Sequence, residues 1–106
     1  MNTLNSEFNT LLKKKLDESK EYIIGEINKL DVEESKHNLY LAYSKLNKIR
    51  IESYSKFSGE LLDEMYKIIE KYNTDNYQDG IVIYLQFDSE ISEFFYTRRD
   101  NYLESL

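Results

Sequence analysis

The sequence predicts an all-α protein, a small antiparallel bundle of about four helices. Three observations carry this. Apolar residues recur at spacings of three and four along three long stretches, the period of one helix face. Only one sustained turn-like cluster interrupts them, Asn73-Thr74-Asp75-Asn76-Tyr77-Gln78-Asp79-Gly80. The one strand-like stretch, 81–87, has no second stretch that could pair with its backbone. A length of 106 residues fits one domain, 1–106, around one core.

Segment one runs from about Asn5 to Lys29. Phe8, Leu12, Leu16, Ile23, Ile27 and Leu30 form its stripe, widened by Leu11 and Ile24. Asn5 or Ser6 can cap its start by accepting a backbone N–H bond. Gly25 either weakens the helix or marks a close helix crossing. Segment two runs from about Val32 to Phe57. Asp31 is followed three residues on by Glu34, the capping-box spacing, and Leu39, Ala42, Tyr43, Leu46, Ile49 and Ser53 continue the period. Segment three, Glu60 to Tyr72, sets Leu61, Leu62, Met65, Ile68, Ile69 and Tyr72 on one side. Ser58 can cap it, or Gly59 only kinks one long helix. Segment four begins near Asp79-Gly80, with Ile81, Tyr84, Leu85, Ile91, Phe95 and Tyr102 at helical spacing. Ile81 to Phe87 is also rich in β-branched and aromatic residues. An α+β arrangement with one short strand there is therefore the alternative.

Composition excludes much chemistry. There is no Cys, no Trp and no Pro, and only 1 His, but 10 Tyr and 5 Phe. Without Cys there are no disulfides, thiolate zinc sites or cysteine nucleophiles. With one His, catalysis through imidazole is disfavoured. The net charge of -6 argues against direct nucleic-acid binding, because phosphate would be repelled, and favours a cationic partner. The longest apolar run, Ile81 to Leu85, is far short of the ~20 residues that span a bilayer. Met1 to Leu12 lacks the form of a signal peptide. The expectation is a cytoplasmic protein that does not engage membranes.

Four motifs resemble chemistry, and each has a plainer reading. Glu34 and His37 have the Glu-x-x-His spacing of di-iron bundles, but no second His exists to complete such a site. Asp75, Asp79 and Gly80 match positions of a calcium-binding loop, yet Tyr77 and Gln86 stand where that loop needs oxygen ligands and a bidentate carboxylate. The pairs Asp17-Glu18, Glu33-Glu34 and Asp63-Glu64 fall on polar faces, where they ionise normally instead of serving as acid and base. Lys13-Lys14-Lys15 is followed within two turns by Asp17, Glu18 and Glu21, which reads as a solvated, charge-paired helix face. No phosphate-cradling glycine loop and no nucleophile elbow occurs. The chain is expected not to be an enzyme and to need no cofactor or metal.

The informative feature is where the charge sits. Residues 1–58 hold 10 basic and 9 acidic residues, whereas residues 59–106 hold 4 basic and 11 acidic. The acidic part is also rich in Tyr. Tyr supplies rigid contact area with a polar tip and a ring face for Lys or Arg, and carboxylates steer and pair with those cations. The candidate partner-binding residues are Asp63, Glu64, Tyr66, Glu70, Tyr72, Asp75, Tyr77, Asp79, Asp88, Glu90 and Glu93.

Small size, absence of Cys, helical periods and the acidic, Tyr-bearing stretch from Glu60 to Tyr96 give the chain its general character. In that character it resembles the small acidic immunity proteins of bacteriocin and contact-dependent inhibition toxins. The resemblance implies a protein that covers the basic cleft of a toxin nuclease encoded by a neighbouring gene. Two other readings fit the same composition. One is a phage-type nucleic-acid mimic that blocks a restriction or CRISPR effector. The other is a non-catalytic helical module that dimerises through segments one and two. The chain is expected to be a monomer or a homodimer.

Overall fold

A computed structural model describes residues 3–106. Four helices follow in order: α1 (Leu4–Asn28), α2 (Val32–His37), α3 (Leu39–Lys71) and α4 (Gln78–Glu104). The described residues contain no strand, so 81–87 is helical and the α+β alternative is not needed. The three long helices form a rod of 55 × 20 × 18 Å. Its length is set by α3, whose 33 residues rise about 50 Å at 1.5 Å each.

The helix ends show the local chemistry at work. Thr3, not Asn5 or Ser6, caps α1. Its hydroxyl accepts the Ser6 N–H at 3.1 Å, and Ser6 Oγ accepts the Thr3 N–H at 3.0 Å, a reciprocal capping box. Asp31 caps α2 as its spacing suggested, accepting the Glu34 N–H at 3.1 Å. The Glu34 side chain does not reach back to complete a box there and pairs with Lys45 of α3.

One expected boundary is corrected and one open reading is decided. The helical run expected over Val32–Phe57 breaks at Asn38, whose backbone leaves the helical region at φ -142°, ψ 86°. Its side chain accepts the Leu41 N–H at 3.0 Å and so starts α3. Asn competes in this way with the helical ladder, ending one helix and capping the next. Of the two readings of Ser58-Gly59, a new cap or one long helix, the long helix holds. Gly59 keeps a helical backbone, Ser58 donates to the Tyr54 carbonyl instead of capping, and α3 runs through.

The turn after α3 falls where the Asn73–Gly80 cluster placed it. Asn73 takes φ 49°, the left-handed region that Asn tolerates better than most residues. The Asn73 N–H donates to the Glu70 carbonyl and the Thr74 N–H to the Ile69 carbonyl, closing the helix end in a Schellman motif. The chain then reverses, and α4 starts at Gln78.

The core is one contiguous cluster. Phe8, Leu12, Leu16, Ile23 and Ile27 of α1 meet Leu46, Phe57, Leu61, Met65 and Ile69 of α3 and Ile83, Phe87, Ile91 and Phe95 of α4. The position of α1 explains the packing, since it lies against both α3 and α4, which touch each other less. Gly25 is not a crossing point. It is exposed, and a Cβ built there meets nothing within 4 Å. The buried glycine is Gly80, whose missing Cβ would lie 3.8 Å from Met65 and 3.9 Å from Phe8. Short α2 is tied down by Ser35. Its hydroxyl donates to the Asp31 carbonyl and lies 2.6 Å from the Tyr102 hydroxyl of α4.

The lysine run also divides. Lys13 and Lys14 are exposed, but Lys15 is only 5% exposed. It lies on the face of α1 that packs against α3. There its ammonium meets Glu18 at 3.1 Å, Glu60 at 3.4 Å and Glu64 at 3.5 Å. Burial pushes this ammonium down, but the carboxylates of Glu18, Glu64 and Glu60 more than offset that and hold it above the ordinary lysine range.

Candidate functional site

Of the three long helices, α3 and α4 touch each other least, and a groove runs between them. One half is an apolar recess of about 260 Å³ lined by Leu62, Met65, Tyr66, Ile69, Tyr77, Gly80, Ile81 and Tyr84. The Tyr66 and Tyr77 rings meet edge to face with centroids 6.2 Å apart, so two of the expected contact tyrosines form one aromatic wall.

A hydroxyl bridge closes the recess toward the middle of the groove. Tyr54 of α3 and Tyr84 of α4 lie 2.6 Å apart, oxygen to oxygen. Asp88 stands beside this pair. The shared bond with Tyr84, then burial, then the charge of Asp88 hold the Tyr54 phenol well above the ordinary tyrosine range. Beyond the bridge the groove continues past Ser53, Ile91 and Ser92. It then widens into a second recess of about 410 Å³ lined by Tyr40, Tyr43, Ser44, Asn47, Arg50, Phe95, Tyr96 and Arg99. The Arg99 guanidinium lies over the Tyr96 ring at 4.8 Å.

The eleven expected contact residues fall into three sets. Asp63, Tyr66 and Glu70 follow one another at spacings of three and four along α3, and so share one exposed ridge beside the apolar recess. Tyr77 and Asp88 line the same groove, at its end and its middle, and Asp75 is exposed in the turn before α4. Asp63, Glu70 and Asp75 are exposed and make no ion pair with any described residue.

A second set is engaged inside the fold. Glu64 holds Lys15. The Tyr72 hydroxyl hydrogen-bonds the Glu7 carboxyl, which also accepts from Lys71 Nζ at 2.9 Å. These contacts staple the end of α3 to the start of α1. The third set, Asp79, Glu90 and Glu93, lies on another side of α4. Their spacings of eleven and three residues place them about two-fifths of a turn or more from the Tyr77–Ile81–Asp88 line. Asp79 accepts from the Asn76 amide at 2.9 Å and Glu90 from the Gln86 amide at 3.2 Å.

Sequence reasoning missed the apolar part of the groove. Seven of the twelve large hydrophobic side chains exposed among the described residues line its two recesses, Tyr40, Tyr43, Leu62, Tyr66, Tyr77, Ile81 and Tyr96, whereas α1 exposes none. The available signal was adjacency. In Leu61-Leu62 and Tyr84-Leu85 one helical stripe cannot hold both neighbours, so one of each pair must face elsewhere. Among the described residues no group of three His, Cys, Asp or Glu side chains is arranged to hold a metal ion. No described helix is long and apolar enough to cross a membrane.

No protein-family model, curated protein or solved structure matches the chain.

Proposed function

We propose that the protein is an immunity-type inhibitor that binds a basic protein, a toxin nuclease domain encoded beside its gene, and blocks it by covering its cationic substrate cleft. One observation supports this reading above the others. An open apolar and tyrosine-lined groove includes Tyr66, and the exposed carboxylates Asp63 and Glu70 flank Tyr66 on α3 with no ion pair to any described residue. The carboxylates of Asp63 and Glu70 on α3 steer and orient a cationic surface, while Leu62, Tyr66, Tyr77 and Ile81 supply the desolvated contact that holds it. No catalytic step is assigned to the chain. Inhibition follows from occupancy.

Co-expression with the neighbouring toxin domain tests the proposal. Cells carrying both survive, and the two proteins co-purify with an affinity that falls as salt rises. Asp63→Lys or Glu70→Lys weakens the complex about tenfold or more, whereas Asp17→Lys on exposed α1 leaves it nearly unchanged. Cells that stay as sensitive as before overturn the immunity reading. Equal losses at Asp17 and Asp63 overturn the assignment of the face.

A further inference from the structure

The second recess of the groove, about 410 Å³, differs in chemistry from the first. Its described lining residues include no carboxylate, although the chain as a whole has a net charge of -6. Its two cations come from different helices. On α3, Tyr40, Tyr43, Asn47 and Arg50 follow one another at spacings of three and four and so form one stripe. On α4, Tyr96 and Arg99 form the other wall at a spacing of three.

The two arginines are employed differently. Arg99 lies over the Tyr96 ring and pairs with Asp100 at 3.0 Å, so its charge is answered within α4. Arg50 makes no ion pair with any described carboxylate, Asp88 of the adjoining recess included. Its Nε and Nη2 both donate to Asn47 Oδ1, at 3.3 and 3.1 Å. This neutral partner holds the guanidinium in place without cancelling its charge, and the remaining N–H groups suit an oxygen anion. The neighbouring tyrosines are open as well. Tyr40 is 84% exposed and Tyr43 51%, neither belongs to the core, and neither ring packs against another described ring or cation.

We propose that this recess binds a nucleoside monophosphate, with the phosphate on Arg50 and the base against the Tyr40 and Tyr43 rings. The chemistry selects this class. A guanidinium fork pairs with phosphate oxygens through parallel N–H bonds. Tyrosine rings stack on nucleobases, each of which has a flat π face. Asn47, whose amide oxygen is engaged by Arg50, keeps its amide N–H groups to donate to an acceptor on the base or sugar. The volume lies within the ~300–1,000 Å³ of small-molecule sites. Inorganic phosphate uses only the arginine and a neutral ring only the tyrosines, so full affinity needs both parts in one ligand. The site uses none of the residues assigned to the basic partner, and it stands or falls separately from that reading.

Titration of the isotope-labelled full chain with AMP at low salt, followed by NMR, is the test. The expected result is saturable binding with a dissociation constant below about 1 mM, and shifts concentrated over residues 40–50 and 95–99. Adenosine and inorganic phosphate each bind about tenfold more weakly or worse. Arg50→Gln weakens AMP binding about tenfold, and Tyr40→Ala, at a surface position, about fivefold or more, while circular dichroism shows the helices retained. Lys13→Gln, which removes an exposed cation on α1, leaves binding unchanged. No saturation by about 10 mM AMP overturns the proposal. So does adenosine or phosphate binding as tightly as AMP, or a loss at Lys13→Gln equal to that at Arg50→Gln.

Discussion

Gly80→Ala should stabilise the protein. Gly80 is buried in the first turn of α4, and its backbone needs no positive φ. A Cβ placed there meets Met65 Sδ at 3.8 Å, Phe8 Cζ at 3.9 Å and Ile69 Cδ1 at 4.0 Å, all ordinary van der Waals distances. Two gains therefore add. Removing glycine's freedom in the unfolded chain is worth about 0.5–1 kcal/mol. Burying one methyl among three apolar side chains is worth about 0.8 kcal/mol. The sum, about 1.5 kcal/mol, corresponds to a rise in Tm of roughly 6–12 °C for a domain near this size. Gly25→Ala is the internal control. It is helical and exposed with nothing near it, so it should gain only the first contribution. Urea unfolding monitored by circular dichroism, at equal m-values, gives both numbers. If Gly80→Ala is less stable than the parent while Gly25→Ala is more stable, the contact between α4 and the Phe8 region is tighter than the structure indicates and the reasoning fails.

Two further outcomes follow from the core and from one staple. Phe87 is fully buried, so Phe87→Ala should cost about 3–5 kcal/mol, a large share of the 5–15 kcal/mol typical of a domain, and urea midpoints will show it; a loss under 1 kcal/mol would contradict the placement of α4. Glu7 is held below its ordinary carboxylate range, first by the Tyr72 hydroxyl and then by Lys71. A depressed carboxyl contributes stability above its unfolded pKa, near ~4.3, and loses it as pH falls through the folded value. Glu7→Gln should therefore flatten the pH dependence of stability below about pH 4.3 and leave its shape near neutrality unchanged, as acid titrations of the unfolding midpoint will record.

How much of this was legible beforehand depends on the range of the interaction. The stripes Phe8–Leu12–Leu16 and Leu61–Met65–Ile69 revealed helices because periodicity is a local property. Asn38 escaped notice because an Asn within a helical pattern and an Asn that splits it look alike until its side chain is seen on the Leu41 N–H. Ser58-Gly59 was open to two readings, and packing of Phe57 and Leu61 in the core favours the continuous helix over a weak local preference. Burial of Lys15 was invisible because two of its three carboxylates, Glu60 and Glu64, lie on a different helix. The candidate site was half legible. Charge segregation pointed to Asp63, Tyr66 and Glu70, which the fold sets on one ridge. Glu64 and Tyr72, chosen by the same logic, turned inward to α1, and no composition argument could separate them.

The central place of α1 has a consequence for how the chain comes into being. The helix that the other two wrap is synthesised first, and α4, which completes the wrapping, is synthesised after both. Phe8, Ile23 and Ile27 therefore leave the ribosome long before Phe87, Ile91 and Phe95 can cover them. A chain that ends before α4 can pair α1 with α3, but its core stays open on the side that α4 covers. Closing the core depends on contacts between α1 and α4, which are far apart in sequence and so slow to form.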